Sequence, residues 1–137
     1  MGRILAIDYG RKRTGLAVTD PLRITANPLL TIESRDLIPW LQSYFGQEEV
    51  DEVVIGYPTQ MNGKVSESMN YIRPFIATFR KTFPLKPITM YDERFTSVLA
   101  HRAMIAGGMK KKDRQDKAVV DKIAASIILE GYLESLR

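Results

Sequence analysis

Three acidic residues, Asp8, Glu93 and Asp121, stand where their side chains could work together, and the chemistry open to three carboxylates is the capture of a hard divalent cation. Asp8 ends the apolar run Ile4-Leu5-Ala6-Ile7, Glu93 follows the short run from Pro87 to Tyr91, and Asp121 lies one turn into the last helical stretch. Two cations about 4 Å apart, bridged by such groups, activate a water and stabilise the leaving oxygen in phosphodiester hydrolysis. The chain has no cysteine and a single histidine, His101, which excludes thiolate sites and the usual zinc sites. Oxygen ligands remain, and these suit Mg2+ or Mn2+, with two ions expected once substrate is bound.

Each acid also has a structural reading. Asp8 could close the turn with Gly10, Glu93 could pair with Arg94 or Arg102, and Asp121 could pair with Lys117 one helical turn away. Their joint placement favours the site: three acids at one sheet edge, flanked by basic stretches, are costly without a cation. Adjacent strand residues face opposite ways, so only one of Asp92 and Glu93 points easily into such a site. Asp20 before Pro21 reads as turn chemistry, and Asp113 and Asp116 as moderators of a basic loop or caps. Ser97 and His101 lie one turn apart with no acid placed to orient the imidazole, so His101 reads as a surface helix residue.

Elements that would position the acids follow from the apolar pattern. Ile4 to Ile7 is apolar on both faces, as in a central strand, with Asp8 on the face of Ile4 and Ala6. Gly15 to Val18 makes a hairpin partner, and Ile24 to Ile32 a third antiparallel strand, in which Pro28 requires an edge or a bulge. Leu37, Trp40, Leu41, Tyr44 and Phe45 share one helical face, with Pro39 confining the start to near Asp36. Val53-Val54-Ile55 is a parallel strand ending in Gly56-Tyr57-Pro58. Val65, Met69, Ile72, Ile76, Phe79 and Phe83 hold helical spacing in phase across Pro74, which predicts one helix kinked on its solvent side. Pro87 to Tyr91 is a fifth strand; a helix capped by Thr96 or Ser97 runs to about Ala106, where Gly107-Gly108 stops it. A basic loop follows, then a helix to Leu136 with Val120, Ile123, Ala124, Ile127 and Ile128 on one face. The order βββαβαβαα, with a right-handed crossover, returns strand four to the side of strand one. Asp8, Gly56 and Glu93 then gather at strand carboxyl ends, where ligands of such sheets bind.

At 137 residues the chain suits one domain, residues 1–137, with ordinary globular composition: 45% apolar and 26% charged residues. No apolar run is long enough to span a bilayer and the first residues enter strand pattern at once, so a cytoplasmic protein without a membrane partner is expected. The net charge of +4 is modest. Its distribution says more, because Arg11-Lys12-Arg13 and Lys110, Lys111, Lys112, Arg114 and Lys117 form two concentrated patches that suit a polyanion.

The blocks Asp8-Tyr9-Gly10 with Arg13 and Gly15, Gly56-Tyr57-Pro58 with Asn62-Gly63, Asp92-Glu93-Arg94-Phe95-Thr96-Ser97, and Asp121-Lys122-Ile123-Ala124-Ala125 together resemble the YqgF/RuvX family over essentially the whole chain. Its members are described as RNase H-like nucleases, as Holliday junction resolvases, and as factors maturing the 5′ end of small-subunit ribosomal RNA precursor. The resemblance implies an α/β, RNase H-like fold: a mixed five-stranded sheet with an antiparallel three-stranded meander and helices on both faces. It assigns metal-binding and catalytic roles to Asp8, Glu93 and Asp121. Nucleic acid would be held by Gly10, Arg11, Lys12, Arg13, Tyr57, Arg94 and the patch from Lys110 to Lys117, with Gly10 and Gly15 letting a phosphate approach the turn. Tyr57 replaces the leucine usual in the family and would offer a base a stacking surface worth about 1–3 kcal/mol. Thr14 stands where isoleucine is expected.

Two readings from other classes compete. The D-x-G turn also occurs in actin-like ATPases and sugar kinases, but these enclose a nucleotide between two related domains, and 137 residues provide one. A non-catalytic RNA-binding protein would use the same basic face, yet three acids without metal would repel phosphate. The expected partners are a structured RNA precursor or branched DNA, and ribosomal particles, with the chain a monomer or weak dimer. No apolar helix face clearly supplies the two-fold interface of a resolvase, and the family resemblance, rather than the residues, ranks ribosomal RNA processing ahead of junction resolution.

Overall fold

The computed structural model describes residues 2–58, 67–93 and 117–137. Apolar on both faces, β1 (Arg3–Tyr9) takes the centre of a five-stranded sheet, with β2 (Arg13–Thr19) and β3 (Ala26–Glu33) antiparallel on one side. On the other side β4 (Val50–Tyr57) runs parallel to β1, and β5 (Ile88–Asp92) runs parallel to β4. The order is β3-β2-β1-β4-β5, so the crossover does return the fourth strand to the side of the first. Pro28 sits in the edge strand β3, where the register with β2 also shifts, as a residue without an N–H donor requires.

Alternation along the strands divides the core in two. Leu5, Ile7, Leu16, Val18, Val53 and Ile55 face α1 (Leu37–Gln47) and α2 (Met69–Thr82). A short 3-10 turn, Ser34–Asp36, leads into α1, which places Pro39 in its first turn as expected. α2 is continuous across Pro74, which lies on its exposed side while Met69, Ile72, Phe75, Ile76 and Phe79 are buried. Val65 falls outside the described residues, as do the helix expected from Thr96 to Ala106, with Ser97, Arg102 and His101, and the basic loop before Lys117.

The opposite face carries Ile4, Ala6, Ala17 and Val54 against α3 (Lys117–Ser135). Here the expected stripe is displaced. Ala124, Ala125, Ile128, Leu129, Tyr132 and Leu133 form the buried seam, whereas Val120, Ile123 and Ile127 are only half-buried. From Ala118 to Leu129 the helix is apolar almost all round, so periodicity alone does not select one face. The sheet residues beneath it are mostly small, and the Thr31 hydroxyl donates to the Ala118 carbonyl, pinning the start of α3 to the meander.

Candidate active site

Asp8 lies on the α3 side of β1, in line with Ile4 and Ala6, one position before the strand ends. Its cross-strand partner on β2 is Gly15. Because Ile7 pairs with Ile55, its neighbour on β4 is Gly56. Both glycines are required by what lies above them. A Cβ on Gly15 would collide with the backbone carbonyl of Asp121, and one on Gly56 would stand 2.5 Å from Ile128 Cδ1 and 3.0 Å from Glu93 Oε1. The Asp121 backbone therefore sits over β2, Asp8 on β1 and the Glu93 carboxylate over β4, so the three acids stand at three successive strands of the sheet. Gly15 serves the approach of a helix rather than that of a phosphate, and the Cβ position of Gly10 is filled by the Arg13 carbonyl.

The three acids line one cavity of about 550 Å³ together with Tyr9, Gly10, Arg11, Lys12 and Arg13. Glu93 is buried, and it, rather than Asp92, reaches this cavity. Asp92 pairs with Tyr57 across β4 and β5, one step out of phase with Gly56 and Tyr91. Arg13 Nε donates to Asp121 Oδ2 at 3.0 Å, so the hairpin supplies a partner of Asp121; the side chain of Lys117, the partner expected from helical spacing, lies outside the described residues. Among the described residues no three acidic or histidine side chains stand together at metal-ligand spacing.

Tyr57 leaves the constellation. It packs at the edge of the α1–α2 core and lines a separate groove with Arg73, Arg80 and Met90, on the other side of the sheet from Asp8. Arg94, Lys110, Lys111, Lys112 and Arg114 lie outside the described residues. The opening of α2 contributes residues that local sequence patterns did not single out: Glu67, Ser68 and Tyr71 complete the cavity wall. Tyr71 carries the Arg11 guanidinium over its ring at 5.4 Å, and its hydroxyl donates to Ser68 Oγ. A signal for Tyr71 existed in its i, i+4 spacing from Phe75, since Tyr9 stacks on Phe75 at 4.3 Å and also touches Tyr71.

Comparison with known proteins agrees with this architecture. A solved structure described as T. thermophilus RuvC in complex with Holliday junction substrate superposes with a TM-score of 0.53, covering 98% of this chain and 96% of that one at 10% identity. At that identity the likeness concerns the fold, which is RNase H-like. A Bacteroides fragilis protein is 54% identical over 137 residues, covering all of this chain and 99% of its own length. One from Phocaeicola vulgatus is 56% identical over 135 residues, covering 98% and 97%. Both carry the provisional name pre-16S rRNA nuclease. The family model described as RuvX, Holliday junction resolvase, matches residues 2–135, and the chain belongs to that family.

Proposed function

We propose that the chain is a divalent-metal-dependent endonuclease that processes the 5′ end of small-subunit ribosomal RNA precursor. One observation carries the reading: Asp8 at the end of β1, Glu93 just after β5 and Asp121 on α3 line a single cavity, with Gly15 and Gly56 letting Asp121 and Glu93 approach the sheet beside Asp8. Hard carboxylate oxygens in that number fit Mg2+ or Mn2+ as a donor set, and the Asp121–Arg13 bridge is the contact that a cation would replace. Asp8, Glu93 and Asp121 would hold such ions, which would supply an activated water and charge stabilisation at the leaving oxygen.

The rest of the work falls to the chain's own groups. Arg11 and Lys12 project from the rim of the cavity, where phosphates of the bound strand would lie. The Tyr9, Tyr71 and Phe75 cluster stiffens the wall behind them. Arg13, released from Asp121, would face the same backbone. The 137 residues would act as one domain in the cytoplasm, as a monomer or weak dimer, on RNA within ribosomal particles. No helix among the described residues is long and apolar enough to cross a membrane.

Junction resolution is the second reading, favoured by the family's description and by the junction substrate bound to the RuvC of similar fold. The ribosomal reading ranks first because relatives more than half identical over nearly their whole length carry that name. Offering the purified protein a ribosomal RNA precursor and a four-way DNA junction, with Mg2+ or Mn2+, separates the two. Cleavage of the precursor at a discrete 5′ position is expected; cleavage of the junction alone would reverse the ranking.

A further inference from the structure

Ser34 is a buried residue on no wall of the acid cavity; its carbonyl accepts from the Leu37 N–H, while its N–H and its hydroxyl both bond the hairpin that carries the cations. Its N–H donates to the Lys12 carbonyl at 2.8 Å, and its Oγ donates to the Gly10 carbonyl at 2.6 Å. A serine hydroxyl has one proton. The 2.8 Å contact between Thr14 Oγ1 and Ser34 Oγ must then have Thr14 as donor, which gives a directional chain from Thr14 through Ser34 to Gly10. Thr14 is fully buried, so its hydroxyl needs such a partner.

Between the end of β1 and the start of β2 lie three residues, Gly10, Arg11 and Lys12, and Ser34 holds the carbonyls of two of them. The third, Arg11, is held from the other side by the Tyr71 ring. A short loop with exposed cations is thereby fixed at both flanks. It divides the acid cavity from a second hollow of about 530 Å³, lined by Arg11, Lys12, Arg13, Glu33 and Arg35. A loop ordered in advance loses little conformational freedom when it meets a phosphate backbone, and that saving appears as affinity.

We infer that Ser34 is a positioning residue for nucleic-acid binding: through the Gly10 and Lys12 carbonyls it sets Arg11 and Lys12 against the backbone, and Thr14 acts only by way of Ser34. The inference rests on the nuclease reading for the identity of the ligand, a polyphosphate backbone.

Binding of a fluorescein-labelled RNA hairpin to the full chain, followed by anisotropy in EDTA so that no cleavage occurs, tests it. Ser34→Ala is expected to weaken binding about tenfold and Thr14→Val about threefold, the range of one or two lost hydrogen bonds. The double variant should bind no more weakly than Ser34→Ala alone. A merely structural clasp would lower the melting temperature and leave the dissociation constant unchanged, and that result, or additive effects in the double variant, would overturn the inference. If Ser34→Ala does not fold, Thr14→Val decides: weaker binding at a native melting temperature supports the chain of bonds, and unchanged binding refutes it. Wild-type protein that binds no RNA hairpin at any salt concentration would remove the nuclease reading first, and this inference with it.

Discussion

Asp20 and Asp121 are both carboxylates beside the sheet, yet their surroundings give them opposite uses. Asp20 accepts hydrogen bonds from the backbone N–H groups of Thr25 and Ile24 and from the Thr25 hydroxyl, which hold its carboxyl below the ordinary carboxylate range. It closes a local turn in which Arg23 takes a positive φ of 58°, as the Asp-Pro pair suggests. A depressed folded pKa contributes stability above the unfolded value of about 3.9, lost as pH falls through the folded value. Asp20→Asn should therefore melt below wild type at pH 7, with the difference shrinking as acid titrates the wild-type group. Melting curves at both ends of that range check the sign. Asp121 instead turns its charge to the cavity, and its partner Arg13 lies 108 positions away in sequence. No local pattern could name that pair; the sequence offered Lys117 only because helical spacing is local.

At the scale of elements, the site depends on how closely α3 and the end of β5 approach two glycines. Gly15→Ala would drive a methyl into the Asp121 backbone and displace α3, whereas Gly56→Ala meets a flexible Ile128 side chain and the Glu93 carboxylate. Overpacking of this kind costs about 1–3 kcal/mol, and Gly15→Ala should lie at the upper end because backbone yields less than side chain. Chemical denaturation measures the order; equal costs would contradict it. The strands and the meander were legible because alternation and β-branched runs carry their own period, and Pro28 announced an edge. The seam of α3 was not, since a helix apolar nearly all round is oriented by the sheet it meets. The placement of Tyr57 follows from the same alternation: one step along β4 from Gly56 turns it to the α2 side, away from Asp8.

The whole molecule places basic residues around an acidic floor, which sets how it should respond to salt. If Arg11, Lys12 and neighbouring cations contact about four phosphates, RNA affinity should fall with a log–log salt slope of roughly −3 to −4, measured without divalent ions. A flat response would exclude a phosphate backbone as the ligand. That Asp8, Glu93 and Asp121 come to one cavity was legible from their places at strand ends and on the last helix, before any contact was known. Legibility stopped at the residues that hold the machinery still, such as Ser34 and Tyr71, because their role exists only once distant segments meet. The central claim is that Asp8, Glu93 and Asp121 act as one metal-dependent centre. Metal-ion stabilisation is worth several kcal/mol, so Asp8→Asn, Glu93→Gln and Asp121→Asn should each cut the rate of RNA cleavage in Mg2+ by about a hundredfold or more, with RNA binding retained. Cleavage that persists at the wild-type rate in all three variants, or in EDTA, would contradict it.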